Sequence, residues 1–258
     1  MHPLCDKLGI NAVNLALRRQ YLGIAESDRA LLESAIPFAE RVRAEFARAF
    51  VEEQFAFLPT ARFYSDQALQ AGLSLTDLRG HIEANQARYF VSLFTGAREG
   101  WGVGYFEERL RIGVAHERLH VPLKWHLGAY AVYARILRRL LAREFGGEQA
   151  ADLLQSLHKV LFLDMQAIAD SFMAATVESL GLDMGAKPSS ESEDLTDRFT
   201  ALRQSAEVLL RQAESVAQGG LYEPHMSTRV PGRLGRACQD LIARLRSVSG
   251  RPRDGMKQ

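Results

Sequence analysis

The sequence predicts an all-α chain, a large helical domain followed by a shorter helical segment with coiled-coil spacing. Three observations carry this. Apolar residues recur at steps of three and four rather than two, the mark of one-sided helices. Only 8 prolines and few period-two stretches interrupt those patterns across 258 residues. Glycines punctuate their ends, at Thr95-Gly96, Gly146-Gly147 and Gly181, where a left-handed residue closes a helix cheaply.

The first helix is expected from Ser27-Asp28, an N-cap residue type followed by Leu31, Leu32, Ala35 and Phe38. Pro37 lacks an N–H and predicts a kink or break there. A second run carries Val42, Phe46, Ala49, Phe50, Phe55 and Phe57 and ends by Pro59. Residues Leu69 to Leu75 read as a loop, with a capping signal at Ser74–Thr76. A helix follows over Asp77–Phe94, then a glycine-rich connector from Gly96 to Gly104. Further helices are expected over Tyr105–Leu119, from Pro122 to Phe145, and from Glu148 to Leu180.

Pro, Ser and acidic residues cluster from Gly185 to Asp194, a composition that reads as a linker. Beyond it Leu195, Phe199, Leu202, Ala206, Leu209, Ala213 and Val216 alternate steps of four and three. The same spacing returns at Leu234, Cys238, Leu241, Leu245 and Val248. Such an a/d seam faces a partner helix, which predicts a homodimer. The Gly/Pro/Arg-rich tail from Ser249 is expected to be disordered. The domain boundaries expected are therefore 1–182, a linker at 183–194, and 195–258.

Composition narrows the function. The chain is 47% hydrophobic and 24% charged, ordinary for a globular protein with a sizeable core. Lys plus Arg is 32 against 31 for Asp plus Glu, a net charge of +1. That offers no basic footprint for nucleic acid and no bulk-charge attraction to a membrane surface. No transmembrane span and no secretory leader are read from the sequence. Two cysteines, Cys5 and Cys238, suggest neither a disulfide framework nor a CxxC site, and the cytoplasm is the expected location. No zinc spacing, P-loop, GxGxxG or GxSxG motif is present, so no enzyme activity is expected.

The segment that carries chemistry is Arg111-Ile112-Gly113-Val114-Ala115-His116-Glu117-Arg118-Leu119. Ile112, His116 and Leu119 share one helix face, which turns His116 inward with apolar neighbours. Such a histidine is usually a hydrogen-bonded core residue; it is also what a five-coordinate heme iron needs. The spacing leaves both open.

The run RIGVAHERLHVPLKWHLGAY, residues 111–130, resembles the proximal segment of globin-coupled sensors, the bacterial sensor globins. The matching residues are Arg111, Ile112, His116, Pro122, Lys124, Trp125, Leu127, Gly128, Ala129 and Tyr130, while His126 stands where an aromatic is usual. SDRALLESAIPFAERVRAEFARAF, ARYFVSLFTG and LFLDMQAIADSF are similar to other helices of that family, so the likeness covers about residues 20–180. It implies a globin-like sensor domain with His116 as the iron ligand of heme b. Phe46, Phe50, Phe90, Phe94, Phe106 and Trp125 are candidates for the cofactor's walls, each with plain core packing as its alternative. Tyr130 closes the motif. Many relatives follow a Phe of the second helix with a Tyr that hydrogen-bonds dioxygen; here Val51 follows Phe50 and donates nothing. On the distal helix Ile82 and Asn85 stand where relatives show Leu and Thr; Asn85 is a candidate donor, with a solvated or helix–helix amide as the equal alternative. His81 and Gln86 lie beside it, and His81 is a candidate sixth ligand.

The resemblance thus implies a diatomic gas (dioxygen, carbon monoxide or nitric oxide) as ligand, a homodimer, and a signalling output partner, either a separate protein or the rest of a longer transducer. Residues Gly220-Leu221 and Arg233-Leu234-Gly235 loosely resemble a HAMP linker, with a generic coiled-coil stalk as the equal alternative. A heme-free globin-like signalling module is the second functional expectation, and a globin enzyme the last.

Overall fold

The computed structural model describes residues 2–183, 190–193 and 199–249. All regular structure among them is helical. They divide into two compact units, one ending at Phe172 and one beginning at Met173.

The first unit opens with two helices that the sequence reading did not mark, α1 (Pro3–Leu8) and α2 (Ala12–Tyr21). Their signals are local. Asn11 accepts from the Asn14 N–H while the Asn14 side chain accepts from the Asn11 N–H, a reciprocal cap. The backbone N–H groups of Leu4 and Cys5 donate to buried Glu107, which fastens α1 to a later helix. Helix α3 (Glu26–Ser34) ends at Ala35, and α4 (Ile36–Ala56) starts at once. Pro37 therefore breaks the expected helix rather than kinking it, and sits in a first turn where its missing N–H costs nothing.

Helix α5 (Leu58–Ala71) occupies a stretch where no helix was expected. Pro59 ends α4 in sequence but opens α5, and the expected loop at 69–75 shrinks to Gly72–Ser74. Ser74 caps α6 (Leu75–Thr95), its hydroxyl accepting from the Asp77 N–H at 3.1 Å. The glycine-rich connector contains a 3₁₀ turn at Gly96–Glu99 and buried Trp101, whose indole donates to Leu93 O at 3.1 Å. Helices α7 (Val103–Arg118), α8 (Leu123–Glu144) and α9 (Gly147–Ser179) follow, with Pro122 as the N-cap of α8.

The core lies between α4, α6 and α8. Phe46 stacks on Phe90 with centroids 4.2 Å apart, Phe90 meets Phe94 edge-on at 5.3 Å, and Phe38 bridges Phe94 and Phe145. Helix α9 is long and apolar enough to cross a membrane by length and composition alone. In this fold Leu153, Leu157, Val160, Leu163 and Ile168 bury that apolar face within the bundle, alongside Asp164 and Asp170.

In the second unit α10 (Phe199–Ala217) and α11 (Arg233–Val248) pack through a connector with a 3₁₀ turn at Pro224–Ser227. Gln212, Ser215, Met226, Val230, Gly235 and Ile242 form the buried set. Gln212 Nε2 donates to His225 O and Thr228 O, satisfying the connector's carbonyls. Gly235 is required, because a Cβ there would stand 2.0 Å from Val230 O. The heptad residues are not this internal core: Leu202, Leu209, Val216, Cys238 and Leu245 are half-buried, and Leu234, Leu241 and Val248 exposed. Leu195, most of the expected linker and the tail from residue 250 lie outside the described residues.

Candidate functional site

Helix α7 presents Ile112 and His116 one turn apart on the same face. The His116 Nδ1 lies 2.8 Å from Ile112 O, the carbonyl one turn back. A carbonyl only accepts, so Nδ1 carries the proton and Nε2 keeps a lone pair. Nε2 has no hydrogen-bond partner among the described residues. Burial pulls the His116 pKa below its ordinary value, with the Ile112 hydrogen bond opposing, so the ring is neutral near pH 7. Leu119, the third member of the expected face, is 49% exposed and lies off the cavity.

His116 opens onto a cavity of about 550 Å³. That volume lies within the roughly 300–1,000 Å³ of small-molecule and cofactor sites. Of the residues expected at the site, Phe50, Asn85, Trp125, Tyr130 and His116 line it together. Phe46, Val51 and Ile82 do not. Phe46 and Val51 are fully buried, and Phe46 stacks within the core. The wall facing from α4 is instead Phe50 and Gln54, one turn apart, with Val51 rotated away. Ile82 sits a turn before the cavity-facing part of α6, which begins at Asn85. Phe90, Phe94 and Phe106 are packing residues with no exposure. Asn85 is exposed at the rim, its Oδ1 accepting from Arg88. His81 is exposed and does not line the cavity.

Helix α8 supplies one side through His126, Tyr130 and Tyr133, spaced by four and three. The His126 ring meets His116 edge-on with centroids 4.3 Å apart, and Tyr130 and Tyr133 continue the row at 6.1 and 6.2 Å. Burial, with His116 beside it, pulls the His126 pKa down to about 3. Two neutral imidazoles therefore stand at one end of the cavity.

A buried charge network lies beside that row, where the Tyr89 ring meets Tyr133 edge-on at 5.5 Å. Arg109 Nε and Tyr89 Oη both donate to Asp164 Oδ2, at 2.9 and 2.6 Å. The Arg109 and Asp164 side chains are 4% and 0% exposed. Arg109 also donates to Ser92 Oγ at 2.6 Å and lies over the Tyr105 and Tyr89 rings. Among the described residues, Tyr105 Oη and Asp164 Oδ1 are buried without a hydrogen-bond partner. Burial pushes the Asp164 pKa up while Arg109 pulls against it.

The protoglobin family pattern matches residues 11–178, a span that runs from α2 to the end of α9 and contains the whole cavity. The chain belongs to the protoglobin family. The heme-based aerotactic transducer HemAT of Halobacterium salinarum is 24% identical over 189 residues. That match covers 69% of this chain and 36% of the relative, so the chain spans about a third of that protein's length. The globin domain of the Geobacter sulfurreducens globin-coupled sensor shares the fold, with a TM-score of 0.52 at 22% identity, covering 61% of this chain and 96% of that one.

In this protoglobin the sequence reading missed Gln54, Tyr64, Arg109, Tyr89 and Tyr133 as cavity residues. In the sequence Gln86 reads only as a neighbour of Asn85, and His126 only as a departure from the family's usual aromatic. One signal was available: the stripe His126, Tyr130, Tyr133 follows helical spacing from the motif itself. Tyr64 had no such signal, since α5 was not recognised.

Proposed function

We propose that this protoglobin is a heme-based gas sensor, with His116 as the iron ligand and heme b as the cofactor. The observation that carries the reading is His116 itself: Nδ1 committed to Ile112 O, Nε2 free, on a cavity of about 550 Å³. That is the donor set a five-coordinate heme requires, a neutral imidazole whose ring is fixed by its second nitrogen. Phe50, Trp125 and Tyr130 offer aromatic walls for a flat macrocycle. When bound, heme supplies an iron that takes a diatomic gas such as dioxygen, carbon monoxide or nitric oxide.

The chain's own residues transmit the state of that site. His116 rides on α7, and α7 touches α9 where Ser171 Oγ donates to Leu110 O at 3.0 Å. A shift of α7 therefore acts on α9, the helix that continues past Phe172 to Ser179. Both arrangements must lie close in energy for a ligand to choose between them. The half-buried seam leucines of α10 and α11 support a homodimer through that face and a helical, HAMP-like or simple coiled-coil, relay to a signalling output partner. Cys5 and Cys238 are both free thiols, which fits a cytoplasmic location. Sensing rather than catalysis is the role this assigns.

The test is the absorbance spectrum of the purified chain, as isolated and after heme addition. A Soret band in the wild type, lost or scrambled in His116→Ala, is the expected result. No Soret band under either condition overturns the reading in favour of a heme-free signalling module.

A further inference from the structure

We propose that the side-chain amide of Gln86, aimed by the Tyr133 hydroxyl, donates the hydrogen bond to a small ligand held at the far end of the cavity from His116. The inference rests on the heme reading above and names the group that sets ligand preference.

The placement comes from α8. Its row of rings begins at His126 against His116 and reaches Tyr133 seven residues later, a rise of about 10 Å. Tyr133 is held rigidly. Its ring packs on Phe46 at 5.0 Å, on Phe50 at 4.8 Å and edge-on to Tyr89 at 5.5 Å. Burial raises its pKa far above the ordinary phenol value, so it stays a neutral donor. The acceptor it finds is Gln86 Oε1, across on α6.

That bond decides which way the amide faces. With its oxygen taken by the hydroxyl, Gln86 turns Nε2 and its two hydrogens the other way. Nε2 has no partner among the described residues, and Gln86 lines the cavity. A donor whose direction is set before the ligand arrives loses little entropy on binding it. Two other polar groups on the wall lack that feature. Gln54 and Tyr64 line the cavity too, yet among the described residues no hydrogen bond orients either side-chain head. Asn85 is at the exposed rim. Val51, where relatives carry the donor, is apolar and off the cavity.

The test uses the full chain loaded with ferrous heme, with dioxygen and carbon monoxide as probes. Gln86→Leu should raise the dioxygen release rate about five- to tenfold, the worth of one hydrogen bond. Tyr133→Phe should move it the same way by less. The C–O stretching frequency of the carbon monoxide complex should rise in both variants, a shift that lost packing alone would not produce. Release rates and stretching frequency equal to wild type in both variants would overturn the proposal, as would a larger effect from Gln54→Leu or Tyr64→Phe. If Gln86→Leu fails to fold, Tyr133→Phe and the wild-type stretch decide, and a wild-type value typical of a wholly apolar pocket overturns it. A wild type that takes up no heme sinks the underlying sensor reading instead, so the two failures are distinct.

Discussion

Gly113 and Ser171 mark the contact of α7 with α9. A Cβ on Gly113 would stand 2.6 Å from both Cβ and Oγ of Ser171 and 3.4 Å from Ile168 Cα. The single Ser171 hydroxyl hydrogen is shared between Leu110 O and Ala167 O, so the serine cannot step aside without losing that hydrogen bonding. Gly113 lies one turn before His116.

Gly113→Ala should therefore push α7 off α9 and cost about 1–3 kcal/mol of stability, the usual penalty of overpacking. The shift should also perturb the His116 end of the cavity. Gly128 provides the contrast, since nothing lies within 4 Å of its Cβ position. Gly128→Ala should stabilise α8 by about 0.5–1 kcal/mol through helix propensity alone. Urea unfolding of both variants checks the pair, and equal midpoints would count against the close contact.

Asp28 joins the start of α3 to α9 and predicts an acid-labile bundle. It accepts from the Ala25 N–H at 2.7 Å, from Ser156 Oγ at 2.7 Å and from Lys159 Nζ at 2.8 Å. Burial raises its pKa, but these donors outweigh that and hold it below the ordinary carboxylate value. A depressed folded-state pKa gives stability that is complete above the unfolded value of about 3.9 and disappears as pH falls through the folded one. Denaturant midpoints should fall as pH is lowered below about 4. Asp28→Asn should flatten that limb and cost about 2–3 kcal/mol at neutral pH, the worth of charge-assisted hydrogen bonds.

Arg109 and Asp164 should behave as a unit. Arg109→Leu leaves a carboxylate uncompensated at 0% exposure and should destabilise by about 3–5 kcal/mol. Arg109→Leu combined with Asp164→Leu should recover most of that loss, because both charges leave together. A double-mutant cycle from denaturant unfolding reads the coupling. A double variant no more stable than Arg109→Leu would contradict it.

The open seam of the second unit can be tested by mass. Leu209 and Leu245 are half-buried and outside the fully buried set, and Leu209→Asp or Leu245→Asp places a charge on the proposed interface. Sedimentation should show the wild type at twice the 28.8 kDa chain mass and the variants at the chain mass itself. Wild type sedimenting as a single chain removes the homodimer.

Local patterning was enough to read the all-helical class, the ends of α6, α8 and α9 near their glycines (of which only Gly181 takes the left-handed conformation), and the inward turn of His116. Each depends on periodicity and end chemistry within about one helix length. The same patterning failed at α1, α2 and α5. Two of these are short and the third carries Pro59 in its first turn, a residue that reads in sequence as the end of the helix before it. The remaining site decisions belong to the tertiary structure. Val51 and Gln54 are three residues apart on α4, and only packing against α6 and α8 turns Gln54 to the cavity and Val51 away from it. Gln86 meets Tyr133 across 47 positions of sequence, and Arg109 meets Asp164 across 55. Sequence spacing places residues on a face of their own helix. Which faces enclose a cavity, and which polar groups meet there, is settled when several helices bury their apolar stripes together.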